Sequence, residues 1–183
     1  GGNVGIGADS MFANTTGGGN VALGADSLKA NTTAHNNTAV GKAALTANTT
    51  GTGNLAVGTD AAAYTTTGNY NAVLGTFALN RNTTGTSNTA VGTNALYFNT
   101  TPSDNTAVGR DALFQNTTAS NNTAMGSGAG AAVTTGASNV LVGYKAGYYL
   151  NALTTGTDNT IIGAYTRSSS ATVDAEIVIG RFA

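Results

Sequence analysis

Few side chains in this chain could do acid–base or metal chemistry, and their spacing says what they are for. His35 is the single histidine and Glu176 the single glutamate among 183 residues. A general base needs a nucleophile or an orienting carboxylate within hydrogen-bond reach. His35 lies in the polar stretch His35-Asn-Asn-Thr38, with no such partner beside it, and reads as a solvated loop residue. Asp9, Asp26, Asp60 and Asp111 share one phase of a 17-residue spacing. Acids stacked in that way could share a cation, but a calcium-binding roll needs several oxygen ligands per step and here there is one at most. They read as exposed turn acids that keep the chain soluble. A carboxylate pair for glycoside hydrolysis would have to be assembled from scattered aspartates. The absence of cysteine excludes disulfides and thiolate metal sites. No catalytic, cofactor or metal site is assigned, and the chain is expected not to be an enzyme.

The same 17-residue spacing runs through the whole chain. A motif that opens on Asn and closes on Gly occupies Asn3–Gly7 and recurs every 17 residues to Asn139–Gly143. Two further copies follow, Asn159–Gly163 after a step of 20 and Glu176–Gly180 after a step of 17. A fixed period of this length marks a quasi-one-dimensional repeat protein. The recurring glycine therefore has a geometric origin and does not form a phosphate-binding loop, which needs a following helix. The expected fold class is all-β, a parallel β-solenoid of about eleven 17-residue coils. Regular repeats should fill 1–158, with a three-residue insertion near 148–153. Atypical C-terminal repeats at 159–183 should act as a cap or junction.

The consensus is Asn-Thr-Ala-Val-Gly-x-x-Ala-Leu-x-x-Asn-Thr-Thr-Gly-x-x, nearly intact in Asn88–Asp104. Its first five positions suggest a short strand. The fourth is always large and apolar, and the column containing Val40, Val57, Val91 and Val108 is expected to point into the coil interior. The ninth position supplies a second core column with Leu45, Leu96 and Leu113. Strand neighbours face opposite sides, so the third-position column of Ala39, Ala56, Ala90, Ala107 and Ala124 should face outward. An apolar outer face suggests a self-association surface along the rod. The fifth-position glycines, among them Gly24, Gly41, Gly58, Gly75, Gly92 and Gly109, should be corners that need positive φ or close backbone approach. Asn-Thr-Thr-Gly is turn chemistry. Stacking would set equivalent Asn amides about 4.8 Å apart as ladders, and eleven coils would make a rod roughly 50 Å long. The Asn-x-Thr sites, such as Asn14 and Asn48, belong to this turn and are structural by default.

Composition narrows the partners. Only 8% of residues are charged and the net charge is −1, so there is no basic field for nucleic acid. No apolar run approaches the roughly 20 residues of a membrane span. The start at Gly1, inside a repeat, points to a processed subunit or excised fragment. The aromatics lie outside the repeat: Tyr97, Phe98 and Phe114 near the tenth and eleventh positions, and Tyr144, Tyr148, Tyr149 and Tyr165 near the C-terminal break. Tyr144, Tyr148 and Tyr149 are candidates for contact with a ligand or another subunit.

The run Asn105-Thr-Ala-Val-Gly109, repeated this often, resembles the head repeats of trimeric autotransporter adhesins. The continuation Ala-Leu-x-x-Asn-Thr-Thr-Gly at Ala44–Gly51 and Ala78–Gly85 resembles a longer variant in phage tail-fibre-like and large bacterial surface proteins. The resemblance implies a left-handed β-roll and three identical chains in register. The period is longer than that of the adhesin heads, and no stalk or anchor accompanies it. The expected function is a non-enzymatic extracellular structural protein, a homo-oligomeric and possibly end-to-end polymeric fibre on or around a cell or virion. Two alternatives are a shaft or head that binds a cell-surface glycan or receptor, and an ice-binding solenoid using columns such as Thr16, Thr50 and Thr84.

Overall fold

The computed structural model describes residues 1–148 and 152–181. It is a parallel β-solenoid. Eleven three-residue strands, from β1 (Val4–Ile6) and β2 (Val21–Leu23) to β10 (Thr160–Ile162) and β11 (Ile177–Ile179), stack in chain order into one sheet. Every neighbouring pair is parallel, with partners 17 residues apart, as in Val4↔Val21. The step becomes 20 between β9 (Val140–Val142) and β10, where Val140 pairs with Thr160. The insertion expected near 148–153 falls largely on residues outside the described set. No helix occurs among the described residues.

Each coil closes through corners that need left-handed backbone. The fifth-position glycines have φ between 123° and 143°, a region open essentially to glycine alone. A Cβ on Gly24 would also stand 2.5 Å from the Gly41 carbonyl oxygen of the next coil. Both demands anticipated for these corners are therefore present together. The seventh and ninth positions are left-handed too, and most of these are not glycines: Asp26 has φ 59° and Leu28 has φ 48°. That cost is normally 1–2 kcal/mol per residue, offset here by burial of the ninth-position side chain. Between the corners the backbone still bonds from coil to coil, as in Leu28 N–H to the Ala44 carbonyl at 3.0 Å.

The interior differs from expectation at one level. Leu45, Leu96 and Leu113 are fully buried, as are the eighth-position alanines beside them. On the strand, however, the third position faces in. Ala39, Ala56, Ala90, Ala107 and Ala124 are completely buried inside their own coil, so they cannot form an interface between chains. The fourth position faces out. Val40, Val57, Val91 and Val108 are half-exposed and are not coil core. The reason is volume. A 17-residue coil is narrow, and the ninth-position leucine on the opposite wall already fills it. Only a methyl side chain fits across from that leucine at native packing density.

Two columns of buried asparagine hold the coils together. In the first, the Asn20 side-chain oxygen accepts the Asn37 backbone N–H of the next coil at 2.9 Å, while its amide nitrogen donates to the Ala34 carbonyl of its own coil at 2.8 Å. Equivalent bonds recur up the rod to Glu176 N–H on the Asn159 oxygen. In the second column, each side-chain amide donates to the side chain below. Asn31 donates to Asn14 at 2.7 Å and Asn116 to Asn99 at 2.9 Å. These are the amide ladders that the turn motif implies. They satisfy polar groups whose burial would otherwise be costly.

Candidate functional site

The outer face of the sheet carries an uninterrupted apolar stripe beside a mixed column of threonine and aliphatic residues. Its fourth-position column runs Ile6, Leu23, Val40, Val57, Leu74, Val91, Val108, Met125, Val142, Ile162 and Ile179. Ile6 is 66% exposed, Leu74 50% and Ile179 69%. The companion second position is Val, Thr, Leu, Ala or Ile, so no strand places a charge on this face. Parallel strands are normally covered on both faces, and here one face is bare. A single large apolar patch of this kind marks a contact surface.

The chemistry-bearing residues are absorbed into the scaffold. The His35 ring accepts the Gly18 backbone N–H at 2.9 Å, a contact between coils. The cation between Asp9 and Asp26 is the Lys29 ammonium, at 2.9 and 2.8 Å from the two carboxylates. The hydrogen bonds it donates, to Asp26 first and Asp9 second, hold its pKa above the usual lysine value. The Glu176 carboxylate accepts the Ser169 backbone N–H. No group of three histidine, cysteine or acidic side chains suited to a metal occurs among the described residues. No helix of the described residues is long and apolar enough to cross a membrane.

Threonine falls in three columns, of which the second-position set, Thr38, Thr89, Thr106, Thr123 and Thr160, lies on the strands themselves. The thirteenth-position hydroxyls are spent on the next coil, as Thr15 on the Thr32 carbonyl at 3.0 Å and Thr83 on the Thr100 carbonyl at 3.1 Å. The fourteenth-position threonines, among them Thr16, Thr50, Thr84, Thr101 and Thr118, are exposed.

The aromatic residues form a feature that the repeat consensus hides. Tyr64, Arg81 and Phe98 occupy the eleventh position of three successive coils, and Asn80, Tyr97 and Phe114 the tenth position of the last two of these and of the coil after them. Tyr97 stacks on Phe114 with centroids 5.5 Å apart, and Phe77 meets its edge at 6.5 Å. The Arg81 guanidinium lies 5.0 Å from the Phe98 ring centre and 5.6 Å from that of Tyr97. Between Tyr64 and Tyr97 opens a cleft of about 560 Å³ with Asp60 and Asn80 in its wall. Sequence reasoning placed Tyr97, Phe98 and Phe114 at an outer edge but missed Asp60, Tyr64, Phe77, Asn80 and Arg81 as their partners.

The proposed contact tyrosines are less concentrated. Tyr144 packs edge-on against Tyr165 at 5.0 Å, and the Lys145 ammonium lies 5.5 Å from the Tyr144 ring and 5.9 Å from that of Tyr148. Tyr149 lies outside the described residues. No protein-family model, curated protein or solved structure matches the chain.

Proposed function

We propose that this chain is a non-enzymatic structural subunit that associates with copies of itself, side by side, to form an extracellular fibre. The observation that carries this is the bare aliphatic face of the eleven-stranded sheet, with no charge on any strand. A second copy suits it better than another partner because the surface is periodic. An identical rod offers the same spacing of about 4.8 Å between rows, so side chains can interdigitate along the full length. A face roughly 50 Å long and about 12 Å wide would bury roughly 600 Å² per copy, at the lower edge of specific interfaces. Three chains around a common axis, the arrangement implied by the resemblance to adhesin heads, would shield the stripe from water on each.

Sedimentation equilibrium of the purified chain tests this proposal. The expected mass is a multiple of 17.9 kDa, three chains being the multiple that the resemblance favours. A mass that stays at one chain across the accessible concentration range would reject self-association.

A further inference from the structure

We propose that the cleft between Tyr64 and Tyr97 is a binding site for a neutral saccharide. Four observations converge on that ligand class. The first is the aromatic walls. Tyr64 is 60% exposed and packs on no other aromatic ring among the described residues, while Tyr97 is held between Phe77 and Phe114. An aromatic face carries partial negative charge and suits the C–H-rich face of a pyranose. Phe114 stacks on Tyr97 and the Arg81 guanidinium lies over its ring, so Tyr64 supplies the open ring face and Tyr97 a fixed wall that loses little conformational freedom when the cleft is filled.

The second is the pair of charged side chains. Asp60 offers only acceptors and Arg81 only donors. Both line the cleft, yet no ion pair joins them, and neither side chain has a hydrogen-bonded partner among the described residues. A sugar hydroxyl donates and accepts at once, so it can satisfy both groups. A phosphate or sulfate would satisfy Arg81 and repel Asp60.

The third is preorganisation. Arg81 is steered by the faces of Tyr97 and Phe98, an interaction that fixes a guanidinium without consuming its N–H donors. Asn80 is nearly fully buried, and its amide nitrogen ties it to the Asp60 carbonyl at 2.9 Å, which fixes the cleft wall. The fourth is location. The cleft is built from the seventh, tenth, eleventh and thirteenth positions of the repeat, away from the aliphatic sheet face. Side-by-side association through that face leaves it open, so this inference does not rest on the fibre proposal.

Binding to immobilised neutral oligosaccharides (maltopentaose, cellopentaose, xylopentaose and mannopentaose) and to polygalacturonate and heparin, at low and high salt, tests the assignment. The full chain is compared with Tyr64→Ala, Asp60→Asn and the control Tyr70→Ala, a comparably exposed tyrosine at another position of the coil. Thermal melts establish that each variant is folded. The expected result is binding to at least one neutral oligosaccharide, insensitive to salt and weakened about tenfold by Tyr64→Ala and by Asp60→Asn. Tyr70→Ala should bind like the parent. Failure to bind any of the neutral oligosaccharides, binding unaltered by Tyr64→Ala, or salt-sensitive binding to the polyanions alone would each overturn it. The Val91→Arg variant should bind the same sugar, which separates a failure of this site from a failure of self-association.

Discussion

Leu141 occupies the space that Gly130 leaves empty: a Cβ built on Gly130 would stand 2.8 Å from Leu141 Cδ1. Leu141 holds the third position of its coil and Gly130 the ninth position of the coil before. The same exchange recurs wherever the ninth position shrinks. Ala62 is followed by Val73, and Gly147 by Ile161, whereas Leu45, Leu79 and Leu96 are followed by Ala56, Ala90 and Ala107. All these third-position residues are buried. The coil thus keeps a constant interior volume shared between two walls.

That exchange makes a double-mutant prediction. Leu79→Ala alone should cost about 2–5 kcal/mol by leaving a cavity, and Ala90→Val alone about 1–3 kcal/mol by overpacking. The double variant reproduces the Ala62–Val73 pairing and should be more stable than the sum of the two, with a coupling of about 1 kcal/mol or more. Urea unfolding of the four proteins measures it. Simple additivity would contradict the shared-volume account.

The second asparagine ladder has two orphaned oxygens, Asn48 Oδ1 and Asn116 Oδ1. Both lie where the ladder breaks. The residue above Asn48 is Thr65 and the residue above Asn116 is Val133, and neither supplies the amide donor found elsewhere. Thr65→Asn should restore the donor to Asn48 and replace the 3.4 Å bond from Asn82 with an amide contact. The slot accommodates Asn in the coils on either side. The expected gain is about 1 kcal/mol, visible as a raised melting temperature. Thr65→Val should lower it, because Asn82 then loses its acceptor in the coil below and keeps only the Gly85 carbonyl of its own coil.

Glycine substitutions should separate by position. Gly75→Ala places a Cβ 2.7 Å from the Gly92 backbone at φ 143°, which should cost about 4 kcal/mol or more. Gly128→Ala sits at φ 70°, and its nearest neighbour is the flexible Lys145 side chain at 3.2 Å. It should cost about 1–2 kcal/mol. Equal unfolding midpoints for the two variants would show that close backbone approach is not what demands glycine at the corner.

Most of the architecture was legible because a strict period converts directly into a stack. The Asn and Gly columns, the buried Leu column and the coil-to-coil register all follow from residues 17 apart. The faces of the strand were not legible from hydrophobicity. Valine is more apolar than alanine, which favours Val91 for the interior, but the space left by Leu79 and its neighbours decides for Ala90. The paired variation of ninth and third positions was the available signal. The saccharide cleft was hidden for a different reason. Tyr64, Arg81 and Phe98 obey the period but differ in residue type from one another and from the other coils, so a consensus passes over them.

Arginine placed in turn at the two adjacent strand positions gives the most direct test of the central claim, that alanine fills the coil and the larger aliphatics glue one rod to another. Mass by light scattering and secondary structure by circular dichroism are read on Val91→Arg and Ala90→Arg. Val91→Arg should keep the parent spectrum and fall to the mass of one chain, whereas Ala90→Arg should lose the fold around the buried charge. A folded Val91→Arg protein that retains the parent's oligomeric mass, or a folded Ala90→Arg protein that has lost it, would contradict the account.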